Sequence, residues 1–424
     1  MPPKKYDVII VGAGIVGLTS AYYIKKMNKD LSVAVLERAP TFGQGNSGRS
    51  AAGFRDLFSS QINFQLSHST IEYYKHVQND IGINIGVDFV GYLFLLASGD
   101  GRTELLRKIG GKTRIREFQR DELKSLGFLN LSPNSEESAM MSLKSIDVGI
   151  LGENCGTIEP ELITEYYYKE SVDLGVDFFF NCQVDKYNLS PVKPLDYPGE
   201  PFLWQEKKIG VLNTTRGEME ADTYISATDV WTTSLLDPTG IDSHIRPKKR
   251  QVFQASGPKA EEVLFGWPHN ERKVLPFTIL PSHGVFMRPA PKAKSLWVGV
   301  ADDYGRDFSF TDDPQPEESF YTLHIAPVLN AYVPGIAESR ITASWAGHYS
   351  YNTIDKTPYI FKDLNIIVAT GTSGSGILKG DSIGRYVEAV YSGREKVRLY
   401  DGTEIDSSDL GVKHRKVEFE SVVL

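Results

Sequence analysis

Cysteine is scarce in this chain: Cys155 and Cys182 are the only two in 424 residues. They make neither a disulfide framework nor a metal site, and they suit a reducing cytoplasm, the expected location. Histidine is sparse as well, with eight scattered residues and no H-x-x-H or C-x-x-C pair, so no structural metal is expected. Positive charge is in deficit, with a net charge of −8. The basic footprint of a nucleic-acid partner is missing. No run approaches about 18 consecutive apolar residues, so no membrane span is expected. The opening Met1-Pro2-Pro3-Lys4-Lys5 passes at once into a strand, which leaves no room for a signal peptide. Neither a Ser/His/Asp triad nor a clear pair of catalytic carboxylates stands out.

What remains is ordinary in bulk and specific in detail. Hydrophobic residues at 41 % and charged residues at 24 % fit a soluble globular enzyme, and the length predicts two or three domains. The stretch from Tyr6 to Glu37 organises the rest. Tyr6-Asp7-Val8-Ile9-Ile10-Val11 has the composition of a strand buried on both faces. It leads into Gly12-Ala13-Gly14-Ile15-Val16-Gly17, a G-x-G-x-x-G turn, and then into a helical run from Leu18. A second apolar strand, Ser32 to Leu36, ends on Glu37, about 20 residues past the last glycine, where a ribose-binding carboxylate belongs. Gly12 permits the tight turn, Gly14 lets a pyrophosphate approach the backbone, and Gly17 lets the helix pack on the sheet. The helix N-terminus then holds the anion. Glu37 favours an unphosphorylated ribose, while Arg38 argues the other way. The motif alone leaves FAD and NAD open.

Further along, Gly43 to Arg55 is a small, glycine-rich loop placed to wrap a cofactor, with Arg49 and Arg55 available to neutralise an anion; its plain alternative is a solvated surface loop. Helices are predicted over Gln61 to Asn79, with Leu66, Ile71, Tyr74 and Val77 facing inward, from Pro160 to Leu174, and from Glu317 to Tyr332. Strands are predicted at Val87 to Ala97, Val176 to Val184, Ala221 to Trp231 (running into a helix), Arg246 to Ser256, and within Ile279 to Ala301. Ser190 to Pro201, with four prolines, reads as an irregular excursion. Near the end, Asn365 to Lys379 repeats the opening logic of buried strand, glycine turn (Gly371 to Gly376) and helix, the helix running from about Ser375 to Ser392. Two such turns share one site only if the cofactor domain is discontinuous, which points to FAD. The expected division is a cofactor domain built from residues 1–86, 151–240 and 346–424, with a substrate domain from 87–150 and 241–345. The expected class is α/β plus α+β: a Rossmann-like cofactor domain with an inserted, mostly antiparallel sheet covered by helices.

These blocks together resemble the D-amino acid oxidase and sarcosine oxidase superfamily of FAD enzymes over nearly the whole chain. The runs Arg246 to Arg250, Asp313 to Glu318, Trp345-Ala346-Gly347-His348-Tyr349 and Gly371 to Ile377 are similar, within it, to the homodimeric archaeal dye-linked L-proline dehydrogenases. The resemblance implies a non-covalently held FAD, since neither cysteine lies in an attachment motif, and a homodimer. It implies cofactor contacts from Gly12, Gly14, Ile15, Val16, Gly17, Glu37 and Arg38; from Asn46, Ser47, Gly48, Arg49, Ser50, Ala51, Gly53 and Phe54; from Val184, Ala227, Thr228 and Trp231; and from Gly371, Ser373, Gly374, Ser375, Gly376, Ile377 and Leu378. Asp229 departs from the pattern, standing where the superfamily has glycine. Phe286 stands where sarcosine oxidases carry a flavin-facing lysine, which favours a dehydrogenase.

The reaction implied passes a hydride from the carbon bearing nitrogen to the flavin, and the protein's main task is to anchor the substrate carboxylate, for which a bidentate arginine suits best. Arg55 falls on the family's carboxylate-binding position; Arg288 is a second candidate, Lys379 a third that sits one place off a substrate-contacting lysine, and His348 and Tyr349 are candidates to line the pocket. The expected substrate is a secondary amino acid, L-proline first, with electrons passed to a dye or quinone. The competing readings are a sarcosine-, glycine- or D-amino-acid-type oxidase, a flavin-binding subunit of a larger complex, and an NAD-dependent reductase.

Overall fold

The computed structural model describes residues 4–300 and 307–422. The opening Met1-Pro2-Pro3 and Ala301, to which the last predicted strand was extended, lie outside the described residues. Two sheets of eight strands each carry the fold. In the first, Lys4–Val11 is central, flanked in parallel by Val33–Leu36 and by Gly217–Ser226. Parallel strands Asp177–Phe179 and Ile366–Thr370 extend it on either side, and Tyr359–Asp363 closes one edge antiparallel. A hairpin of Val184–Pro191 and Lys207–Thr214 leans on the start of Gly217–Ser226.

The both-sides burial expected of the first strand holds. Val8 and Ile10 pack on one face among the helices, while Tyr6, Ile9 and Val11 pack on the other, all at most 4 % exposed. The strand ends in the predicted glycine turn, and the helix Ile15–Met27 follows. Helix Gly380–Tyr391 packs against that helix so closely that a Cβ on Gly384 would lie 2.6 Å from the Thr19 carbonyl oxygen, and one on Gly380 would lie 2.8 Å from Ile15. The two glycine turns, far apart in sequence, are thereby neighbours.

The second sheet runs Arg340–Tyr351, Arg246–Ser256, Ser295–Val300, Val285–Ala290, Phe277–Ile279, Tyr92–Leu96, Val148–Gly152, Ile115–Gln119. Every pairing is antiparallel except that between Phe277–Ile279 and Tyr92–Leu96. Alternation decides its faces. Met287, Val298 and Phe253 pack beneath Pro258–Leu264 and the helical stretch 318–332, while Phe286, Phe277, Tyr92 and Val252 turn to the opposite face, toward the first sheet. The stretch 318–332 contains a π turn, Tyr321–Ile325, just before Pro327; the wider turn accommodates a ring that lacks an N–H and would strike the carbonyl one turn back.

Several predicted bounds shift. The single strand placed over Val176 to Val184 is divided: Asp177–Phe179 pairs with Ala34 to Leu36, and Val184 opens the hairpin strand Val184–Pro191. Ser190 and Pro191 belong to a strand, and the excursion begins after them. The α-helix expected from Ser375 starts at Gly380, because a 3-10 turn, Ile377–Lys379, intervenes. The boundary drawn at 345 falls inside strand Arg340–Tyr351. Among the described residues no helix is long and apolar enough to cross a membrane, and no cluster of three or more His, Cys, Asp or Glu could hold a metal ion.

Candidate active site

A cavity of about 990 Å³ lies between the inward face of the second sheet and the C-terminal ends of the parallel strands. Ligands of open α/β sheets bind at such strand ends, and the size lies at the upper end of cofactor cavities, about 300–1,000 Å³.

The opening turn forms part of its wall. Gly12 adopts φ +104°, and a Cβ there would strike the Ala227 carbonyl oxygen at 2.6 Å; one on Gly17 would lie 1.9 Å from the Gly12 oxygen. Only glycine closes this turn. Gly14 is the helix N-cap with no capping side chain, and the first amide after it, Ile15 N, donates to Ser47 Oγ at 3.0 Å. Glu37 is fixed at both oxygens, accepting from Ala13 N and from Ala39 N at 2.8 Å each. At its rim Arg38 lies 4.2 Å from the Trp231 ring centre and pairs with Asp312 at 2.8 Å, which also accepts from the Trp231 indole at 2.5 Å.

The loop after Glu37 reaches from the first sheet to the second. Asn46 donates to Asp229 and accepts from His348 N at 2.8 Å; Trp345 donates to the Arg49 carbonyl oxygen at 3.0 Å, and Arg49 pairs with Asp313 at 2.8 Å. Asp229, where glycine is expected, has φ +50°, the left-handed region glycine favours and aspartate tolerates. Burial raises its carboxyl above the ordinary range, while Ser350 and Asn46 pull the other way. Burial, aided by Lys249 and Arg49, lowers the His348 imidazolium, so the ring is held neutral. In the closing turn Gly374 lies against Tyr349, where a Cβ would fall 2.4 Å from the ring.

The end of the cavity against the second sheet is aromatic and holds two buried cations. Phe58, Tyr92, Phe277, Phe286 and Tyr349 line it together with Arg55 and Lys379. The Arg55 guanidinium lies 4.2 Å from the Phe58 ring centre and donates to the carbonyl oxygens of Leu57 and, at 2.8 Å, of Val422. Lys379 Nζ donates to Asn63 Oδ1 at 2.6 Å and Ser375 Oγ at 2.7 Å. Burial brings its ammonium down to about 7, against the opposing charge of Glu420 and with Arg55.

Of the residues expected at the site, the wall includes Gly12, Gly14, Ile15, Val16, Glu37, Arg38, Asn46, Ser47, Arg49, Ser50, Ala51, Gly53, Val184, Ala227, Thr228, Trp231, Ser373, Gly374, Ser375, Gly376, Ile377 and Leu378, with Arg55, His348, Tyr349 and Lys379. Five lie behind it. Gly17, Gly48 and Gly371 fit the backbone of their turns, and Phe54 is a core residue 1 % exposed. Arg288 shares the inward face with Phe286, but the chain at Ile158 covers it; its Nη2 donates to the Ile158 carbonyl oxygen at 3.2 Å, and the guanidinium stacks on Trp297 at 4.0 Å. That removes it as a carboxylate anchor. Residues in the wall that the motifs did not point to include Phe58, Asn63, Tyr92, Phe277, Phe310, Asp312 and Glu420. Of these only Tyr92 lies in a predicted strand, Val87 to Ala97, and nothing in that run marks it as a wall residue. Cys155 lies outside the wall, and Cys182 sits at the Glu37 end, its N–H bonded to the Glu37 carbonyl oxygen.

The wall fits FAD in its donors: a glycine turn opening onto a helix start whose N-cap residue brings no side chain, for a pyrophosphate, and a fixed carboxylate for a ribose.

Comparison with known proteins agrees. Residues 7–389 match the family described as FAD dependent oxidoreductase, DAO. FAD-dependent oxidoreductase domain-containing protein 1 of Xenopus laevis is 25 % identical over 429 residues, covering 91 % of this chain and 79 % of that one. Glycine oxidase of Bacillus subtilis is 24 % identical over 407 residues, covering 92 % and 94 %. Among solved structures, L-proline dehydrogenase from P. horikoshii superposes with a TM-score of 0.74 at 19 % identity, covering 96 % of this chain and 97 % of that one. Glycine oxidase from Geobacillus kaustophilus gives 0.73 at 18 %, covering 97 % and 100 %. With a family match spanning most of its length and a cavity of the matching chemistry, this chain belongs to the DAO family of FAD dependent oxidoreductases.

Proposed function

We propose that this chain is an amino acid dehydrogenase that oxidises a secondary amino acid, L-proline first, and passes the electrons to a quinone-type acceptor or a dye. The observation that carries the reading is the pairing of Arg55 and Lys379 in one aromatic wall of the cavity that both glycine turns enclose. A buried guanidinium and amine recognise a carboxylate; the rings of Phe58, Tyr92, Phe277 and Phe286 suit a compact apolar body such as a five-membered ring.

FAD, when bound, would supply the two-electron hydride acceptor that oxidation of the substrate's C–N bond to C=N requires. The chain's own residues set this up. Gly12, Gly14, Ile15 and Ser47 hold the pyrophosphate region, and Glu37 the ribose. Arg55 fixes the substrate by its carboxylate, and the aromatic wall keeps water away. Lys379, with its amine brought near neutrality, takes up at Nζ the proton that the substrate's ammonium releases. Phe286 offers no charge at the position where sarcosine oxidases are expected to carry a flavin-facing lysine, which supports a dehydrogenase.

A second reading, an oxidase of the glycine or sarcosine type, is favoured by Lys379 itself, which brings a buried lysine into the cavity wall by another route. One experiment separates the two. Anaerobic L-proline should bleach the bound flavin while sarcosine, glycine and D-amino acids do not, and aerobic turnover should release little hydrogen peroxide. Bleaching by one of the others alone overturns the substrate assignment, and stoichiometric peroxide overturns the dehydrogenase.

A further inference from the structure

The segment 418–422 lies hundreds of positions from the loop bearing Arg55, yet the two are joined at three points. Glu418 accepts from Gln61 N at 2.7 Å. Glu420 accepts from Ser59 N at 2.9 Å, Ser59 Oγ at 2.8 Å, and Ser60 N and Oγ at 3.1 Å each. Ser60 is the N-cap of the 15-residue helix Gln61–Lys75, so both carboxylates sit at the positive end of a helix whose cap lacks a capping side-chain bond of its own. Beyond them the Val422 side chain is fully buried in the apolar cluster of Leu57, Tyr92, Phe277 and Phe286, and its carbonyl oxygen accepts a hydrogen bond from Arg55 Nη2. The stretch leading in is anchored too: Arg415 forks onto both oxygens of buried Asp355 at 2.7 Å each.

The consequence falls on Arg55. One N–H of each terminal nitrogen is committed, Nη1 to Leu57 and Nη2 to Val422, and the ring of Phe58 covers one guanidinium face. The plane of the fork is thereby set before any ligand arrives, with its remaining N–H groups directed by that choice. Leu57 alone would leave the plane free to swing about a single bond.

We propose that segment 418–422 is a positioning arm: by seating Val422 against Arg55, with Glu420 as its anchor on Ser59 and Ser60, it orients the guanidinium that binds the substrate carboxylate. The inference rests on the reading of Arg55 as that anchor. Burial disfavours the Glu420 carboxylate, but the Ser59 amide, the Arg55 charge and Ser60 outweigh it and hold it below the usual range, so the anchor stays ionised through neutral pH.

The test uses the flavin-loaded protein, a variant lacking residues 418–424, and the point variants Glu420→Gln and Ser60→Ala. Benzoate, which no flavin oxidises, is titrated against the visible spectrum, with benzamide as the neutral control. Loss of the arm should weaken benzoate roughly tenfold, the worth of one well-oriented charge-assisted bond, and leave benzamide within about twofold. The point variants should show a smaller shift in the same direction, and they decide the matter if the shortened chain does not fold. Benzoate affinity unchanged in all variants, or benzoate and benzamide weakened alike, overturns the inference. Independently of any ligand, modification of Arg55 by phenylglyoxal, mapped by peptide mass, should be several-fold faster without the arm; an unchanged rate also overturns it. If the intact protein ignores benzoate and no amino acid bleaches it while the modification rate still rises, the proposed function has failed and the arm's hold on Arg55 has not.

Discussion

Asn46 Nδ2 and Asp229 Oδ2 meet at 2.6 Å, joining the cofactor-side loop to a buried carboxyl on the turn after strand Gly217–Ser226. That contact holds the acid at a position where the sequence resemblance implies glycine. The folded chain binds a proton at Asp229 more tightly than the unfolded one, because burial raises the group. Its contribution to stability is therefore present in acid and is lost as pH rises through the raised value. Asp229→Asn, which keeps an acceptor for Asn46 and tolerates positive φ, should flatten this dependence and leave the protein more stable than the parent toward pH ~8. Denaturant midpoints across pH check it; parallel curves for the two proteins refute it. Asp229→Ala should instead cost about 1–3 kcal/mol, through lost φ tolerance and a stranded amide.

Arg55→Ala should lower kcat/KM for the amino acid substrate by about 10²-fold or more, since a charge-assisted pair and the desolvation of its partner are both forfeited. Arg55→Lys keeps the charge but cannot satisfy Leu57, Val422 and a carboxylate together, and should recover only part of the loss. Steady-state kinetics of both variants check this; near-normal values for Arg55→Ala would remove the residue from substrate binding.

Lys379 should impose an inflection near pH 7 on flavin reduction, because its ammonium is brought to about 7. Lys379→Met should abolish that inflection. Its folded value lies below the unfolded one, so the penalty for burying it is full below about 7 and fades as pH rises toward 10.5. The Met variant should accordingly gain most over the parent on the acid side, as read from thermal midpoints at several pH values.

Gly384→Ala should destabilise the protein by about 1–3 kcal/mol, since the added methyl meets the Thr19 carbonyl oxygen at 2.6 Å in a helix contact with no slack. A calorimetric midpoint checks it. Because that contact seats the closing turn beside the opening one, FAD retention should fall with stability.

The sequence carried the backbone of this site well and its lining poorly, for a physical reason. The first strand, the Gly12 to Gly17 turn and the Ile366–Thr370 strand are legible because apolar runs and glycine turns are local demands of a parallel sheet. Arg246–Ser256 matches its expected bounds, since alternation along an antiparallel strand is equally local. Tyr92 and Phe277 become wall residues only through the parallel pairing of their two strands, and Glu420 only by crossing to Ser59 and Ser60, 361 and 360 positions away. Such relations leave no mark at short range. Arg288 shows the converse: it lies in a strand of the expected region, and the chain passing at Ile158 takes it out of reach.

Arg38, Trp231 and Asp312 come from three distant stretches and knot together over the rim near Glu37 by an ion pair and an indole bond, with Arg38 and Asp312 substantially exposed. A knot of that kind is weak in water and sensitive to ionic strength, worth about 0–1 kcal/mol as an exposed pair. Its effect is on timing more than on affinity. Salt should therefore hasten the exchange of a dinucleotide bound behind the rim, while the occupancy reached at rest changes little.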